Sequence, residues 1–166
     1  MAAETLTADQ AASTFGVPAG GPKGALLIQY GTYEVAANVE DGDIFEMHYV
    51  PPGAVVHSGE LRADDLDTGT EVLDGDVGWA ANESDSADPD GLLNGGVWLG
   101  DAVTGVRAEA GVWLPYNGTL MTAGPKAFTL AGGKTMIQVE FNVAANSFSA
   151  GTLTAWTYRS EERRVG

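Results

Sequence analysis

The chain has no cysteine in its 166 residues. Disulfides, thiolate metal sites and a cysteine nucleophile are therefore excluded. Histidine is scarce, with two copies at His48 and His57. Each falls in a strand candidate with no second ligand nearby in sequence, so a structural or interface role is expected rather than zinc. Basic residues are few: eight Lys and Arg stand against 23 Asp and Glu, a formal net charge of −15. Such a surface repels phosphate backbones and anionic lipid, so no nucleic acid and no membrane is expected as a partner. No apolar run approaches the ~20 residues that span a bilayer. The opening residues 1–13 lack the basic and apolar regions of a signal peptide, and folding in a cytoplasm is expected.

Glycine is abundant instead, at 23 residues, about twice the usual share. Long helices do not tolerate that much glycine, whereas tight turns between short strands require it. Residues 1–24 are small, polar and broken by Pro18 and Pro22. They read as a flexible N-terminal arm, with a short helical turn near Ala8 to Ser13.

From residue 25 the pattern becomes one of strands. Candidates run over 26–35, 44–50, 54–63 and 71–80, separated by Asp41-Gly42-Asp43, Pro51-Pro52-Gly53 and Asp67-Thr68-Gly69. In 54–63, Val55, His57 and Leu61 are assigned to one face and Val56, Ser58, Glu60 and Arg62 to the other. In 71–80, Leu73, Val77 and Trp79 point inward. A polar loop is expected over 82–91, then short strands at 96–99, 102–106, 111–114 and 119–123. Residues 135–143 alternate most regularly, with Thr135, Ile137, Val139, Phe141 and Val143 on one face. A strand over 152–158 closes the domain. Eight to ten strands, turns every 8–12 residues and no long helix predict an all-β antiparallel sandwich, jelly-roll-like, over residues 25–158.

Residues 159–166 read as a tail. The string Arg159 to Gly166 resembles what a common sequencing adapter encodes when translated in this frame. The gene-derived chain is expected to stop or be truncated near Tyr158.

Several motifs carry residue types with chemistry. Gly133-Lys134-Thr135 looks like the end of a phosphate loop, but Phe128 stands where the first glycine belongs and a strand follows, so a hairpin turn is expected. The glycines of 16–24 follow no strand and do not make a dinucleotide fingerprint. Asp85, Asp88 and Asp90, before Gly91 and near Glu83 and Asn94, form the one cluster with calcium chemistry. Its spacing does not fit an EF-hand, and a solvated loop with Asx-turns is expected. Asp64, Asp65 and Asp67 form a second acidic turn. Ser58 follows His57 directly, which sends their side chains to opposite faces of a strand. No catalytic, cofactor-binding or metal site is assigned, and no enzymatic activity is expected. Trp79, Trp98, Trp113 and Trp156, with Tyr30, Tyr33, Tyr49, Tyr116 and Tyr158, either fill the core and an oligomer interface or present flat rings to a sugar.

Three stretches stand out: Asp64 to Trp79, Ala87 to Asn94, and Ala110-Gly111-Val112-Trp113-Leu114-Pro115. In this order the chain resembles small structural proteins encoded beside the major capsid protein in the head module of tailed bacteriophages. The resemblance spans about residues 25–158 and rests on turn and strand signatures. It implies a virion role, with the major capsid protein as partner, and it transfers no site residues. The expected function is a decoration or cement protein on the outer capsid surface, assembled as a homo-oligomer and using no cofactor. The alternatives are a connector, tail or head-fibre subunit, and a carbohydrate-binding module.

Overall fold

The computed structural model describes residues 3–9, 11, 26–68, 72–95, 112–118 and 123–161. Ten strands occur among them: β1 (Thr5–Thr7), β2 (Leu27–Val35), β3 (Ile44–Val50), β4 (Ala54–Ala63), β5 (Asp74–Trp79), β6 (Asp88–Leu93), β7 (Val112–Pro115), β8 (Lys126–Ala127), β9 (Thr135–Val143) and β10 (Gly151–Glu161). They form two sheets. Sheet I has the order β1-β3-β9-β5-β6. Sheet II has the order β2-β10-β4-β7, with β8 also on β4. Leaving β1 aside, the orders β3-β9-β5-β6 and β2-β10-β4-β7 are those of a jelly roll, and the all-β sandwich expected from the sequence is what forms.

Period-two spacing builds the core row by row. In sheet I, Leu6, Phe45, Val139, Val77 and Leu93 lie side by side across all five strands. In sheet II, Gly31, Ala155, Leu61 and Leu114 make a matching row. Phe45, Val139, Val77, Leu93, Leu61 and Ala155 are buried. Rings meet edge to face in the core: within sheet I Phe45 meets Phe141 at 5.4 Å, across the layers it meets Tyr33 of β2 at 5.2 Å, and Trp79 meets Phe128, which follows β8, at 5.3 Å between centroids.

Four local readings are corrected. Asp88–Leu93 is a strand where a loop to residue 91 was expected. Pro89 is tolerated there because β6 ends the sheet among the described residues, with β5 as its one strand partner. Irregular register between β10 and β4 skips His57, so Val56 joins Leu61 and Ala63 inside, while His57 and Ser58 are both exposed. Val143 is exposed although it continues the inward alternation of Thr135, Ile137, Val139 and Phe141. Strand β10 runs on past Tyr158 to Glu161, with Arg159 buried and hydrogen-bonded to Gln29.

Part of the N-terminal segment read as an arm lies on the sandwich. Thr5–Thr7 pairs parallel with β3. The carboxylate of Asp43 accepts the backbone N–H of Glu4 at 2.8 Å and of Glu40 at 2.8 Å. Ala8 and Ala11 are buried, and the Ala11 N–H donates to the Ala8 carbonyl at 2.9 Å, a single turn where one was expected. The strand candidates at 96–99 and 102–106, most of 119–123, Trp98, most of the arm and the last five residues lie outside the described residues.

Candidate interaction face

The rows on the outside of sheet II follow from the same register. One row is Tyr30, Trp156, Glu60 and Pro115; the next is Thr32, Thr154, Arg62 and Trp113. Each sits one residue along from an inward row, so the alternation that buries Ala155 and Leu61 pushes these side chains out. Tyr30 stacks on Trp156, with centroids 5.0 Å apart and planes 23° from parallel. The Arg62 guanidinium lies 5.1 Å from the Trp113 ring centroid and 6.0 Å from that of Trp156. Both are within cation–π range. Glu60 joins the group: its Oε2 accepts the Trp113 indole N–H at 2.8 Å, and its Oε1 lies 2.6 Å from Arg62 Nη2.

The result is a fixed stripe of Tyr30, Trp156, Arg62 and Trp113 crossing all four main strands of the sheet. Trp113 is 67% exposed and Tyr30 47%. At the β2 end the stripe continues into Ile28, 53% exposed, and Leu26, 59% exposed. Large apolar groups clustered in this way on one face mark an interaction surface more than scattered ones do. Of the four tryptophans, Trp79 is a core residue, while Trp113 and Trp156 belong to this face. The sequence named these rings, and only the strand register shows which of them lie together.

The acidic clusters do structural work. Asp85 accepts from the Thr129 N–H at 2.9 Å, the Thr129 hydroxyl at 3.2 Å, Asn82 Nδ2 at 3.2 Å and Lys126 Nζ at 3.4 Å. Burial would raise its pKa, and these donors together hold it below the usual carboxylate range. Asp88 faces Asp90 instead. Its carboxyl is pushed up by burial and by the Asp90 carboxylate, and Asp90 also accepts Asn94 Nδ2 at 3.2 Å. Asp85 thus clasps one loop while Asp88 and Asp90 pair with each other, and no group of three or more acidic or histidine ligands gathers among the described residues.

In the second acidic turn the three carboxylates also separate. Asp64 accepts the Thr152 N–H at 2.8 Å, and Asp65 accepts the Asp67 N–H at 3.2 Å. Asp67 is fully buried. It accepts the backbone N–H groups of Ser147 at 2.8 Å, Val72 at 2.9 Å and Leu73 at 3.3 Å. Burial alone would raise its pKa, but the backbone donors outweigh it and hold the carboxylate below its ordinary range. Asp67 therefore ties the β4–β5 connection to the segment before β10. Asp67→Asn keeps the shape but sets an amide N–H₂ against these donors. It is expected to cost about 2 kcal/mol, the scale of hydrogen bonds to a charged group, read from urea unfolding at neutral pH.

The histidines part company. His57 is on the surface, with Nε2 2.7 Å from the Ser160 hydroxyl and Ser58 exposed beside it. His48 is buried, with Nε2 3.0 Å from Thr157 Oγ1, and the Tyr116 hydroxyl lies 3.2 Å from the same oxygen. Lys134 does not cradle an anion in a loop before a helix; its ammonium sits 3.6 Å from the Tyr49 ring centroid, and strand β9 follows.

No protein-family model matches the chain, and no curated protein matches it. Solved structures do. The chain is similar to a chain of the capsid of Ralstonia phage GP4, with a TM-score of 0.72 and 18% identity over 96% of this chain and 99% of that one. It is also similar to a chain of the cyanophage Pam1 capsid asymmetric unit, with a TM-score of 0.62 and 18% identity over 91% and 95% of the two chains. At this identity the likeness is one of fold.

Proposed function

We propose that this chain is a structural protein of a tailed-phage virion, bound to the outer surface of the capsid as a decoration or cement protein that stabilises the shell. The observation that carries the reading is the near full-length correspondence of its jelly roll with a chain of the Ralstonia phage GP4 capsid. Two features of the molecule support it. A net charge of −15 suits the outside of a shell whose inside meets DNA. A sandwich clasped by buried carboxylates such as Asp67 and Asp43 is a rigid body that can be added to a lattice without rearranging. The mechanism is additive. Each copy bridges neighbouring capsid subunits through a modest contact, and the lattice multiplies those contacts into effectively permanent attachment.

The partner is the major capsid protein, with copies of this chain meeting as a homo-oligomer on the lattice. The test mixes purified protein with shells that lack it and reconstructs the particles. Regular density at hundreds of copies per particle is expected, and shells that withstand more heat before rupture. About a dozen copies at one vertex would instead make the chain a connector or tail component. Bare shells at saturating protein would end the proposal.

A further inference from the structure

We infer that the outer face of sheet II, centred on Tyr30, Trp156, Arg62 and Trp113, is the surface that docks on a different protein, one whose contact surface carries net positive charge around an apolar recess. The inference rests on the reading of the chain as a shell-bound protein and names the face that makes the contact.

Three observations converge on this face. Its composition is that of a binding hot spot, where Trp, Tyr and Arg dominate. Its side chains are already held: Tyr30 by stacking on Trp156, Trp113 by its indole hydrogen bond to Glu60, and Arg62 by Glu60 and the two indoles. Little rotamer freedom is left to lose on binding. Its charged groups and threonine hydroxyls are matched among themselves, while the buried Trp156 indole N–H has no partner among the described residues. Glu60 neutralises Arg62, the Thr32 and Thr154 hydroxyls meet at 3.2 Å, and Glu34 accepts the Thr152 hydroxyl at 3.0 Å. Water can therefore leave the face without stranding a buried charge.

Charge selects the occupant. With 23 acidic and eight basic residues, a partner of opposite sign is favoured over a second copy at this face, and contacts between copies fall elsewhere on the chain. A partner of opposite sign is drawn in by the same field, and the apolar stripe then holds it.

The experiment uses the full chain and shells that lack it. Wild type is expected to bind, and to bind more weakly as salt is raised from about 50 to about 500 mM. The double variant Tyr30→Ala/Trp113→Ala is expected to lose about 30-fold or more in affinity with its thermal midpoint little changed. A second pair guards against a folding artefact. Thr154→Arg puts a cation in the middle of the face and is expected to weaken binding at least tenfold more than Thr154→Glu. Wild-type binding that the double variant retains would overturn this face while leaving the proposed function intact. Failure of wild type to bind would sink both. A wild-type oligomer that the double variant turns into monomers in sedimentation would assign the face to a second copy. A glycan-array signal lost in Trp113→Ala would assign it to a polysaccharide. Either result would overturn the occupant inferred here.

Discussion

Replacing Gly31 by alanine is expected to prevent the chain from reaching a soluble native state. Gly31 sits in the middle of β2, in the inward row with Ala155 and Leu61, where β2 of sheet II lies against β3 of sheet I. A Cβ there would lie 2.0 Å from the Met47 carbonyl oxygen, 2.5 Å from its carbonyl carbon and 2.9 Å from its Cα. These are backbone atoms of a paired strand, so no side chain can swing aside. Gln29 Nε2 fixes the same approach by donating to the Tyr49 carbonyl at 2.6 Å. Ordinary overpacking costs about 1–3 kcal/mol because side chains adjust. Here β2 and β3 must separate, which loosens the row from Phe45 to Leu93 as well. The expected loss exceeds about 4 kcal/mol, enough to remove most of a marginal stability. Soluble yield and urea unfolding read it. Leu130→Ala, at an exposed site, is the control and should fall within about 0.5 kcal/mol of wild type. A Gly31→Ala protein that unfolds at the wild-type midpoint would show that the two strands do not meet there.

Particular strands show how far the sequence reaches. In β9 the alternation was plain, and Thr135, Ile137, Val139 and Phe141 are buried as read. Where register slips by one residue, the same rule fails. Beside β9, the pairing of β3 jumps from Glu46–Gln138 to His48–Ile137. Met47 and His48 are then both buried, although strict alternation would have put one of them outside. The equivalent slip at His57 misassigned Val56. No residue type announces such a slip, because it is settled by the packing of strands far apart in sequence. Pro89 misled in the opposite sense: it breaks a central strand but not the edge that β6 turned out to be.

The interaction face was half legible. Trp156 outward follows from the alternation of β10, in which Ala155 and Thr157 on either side of it are buried. That Tyr30, Arg62 and Trp113 lie beside it follows only from the order β2-β10-β4-β7, in which strands more than a hundred residues apart are neighbours. The acidic turns were legible as turns. Their carboxylates looked like ligands in sequence because the backbone N–H groups that occupy them come from distant segments, Ser147 on Asp67 and Thr129 on Asp85.

The slip in β3 has a thermodynamic consequence: stability is expected to fall steadily as pH drops from about 6.5. His48 is buried against Thr157, and burial first, with the Arg159 charge second, lowers its pKa from 6.5 to about 3. The native state therefore refuses a proton that the unfolded chain accepts. Above 6.5 both states are neutral at this site and nothing is lost. Between 6.5 and about 3 the unfolded chain binds one proton more, so the folding constant falls by up to about tenfold per pH unit. Below that window both states are protonated and this contribution levels off. Asp67 acts lower down. Its depressed carboxylate contributes stability above the ordinary carboxylate range that is lost as pH falls through its native pKa. The two effects separate by pH. His48→Gln, which can still reach the Thr157 hydroxyl, is expected to flatten the stability profile between about pH 6.5 and 4.5 while leaving the steeper loss below about 4 in place. Urea midpoints across that range measure it, and the ring-proton shift of His48 in the native protein should stay at its neutral value throughout. A wild-type profile that is flat from pH 7 to 5, or a His48 shift that moves with a midpoint near 6.5, would mean that water reaches the ring and that β3 does not carry it into the core.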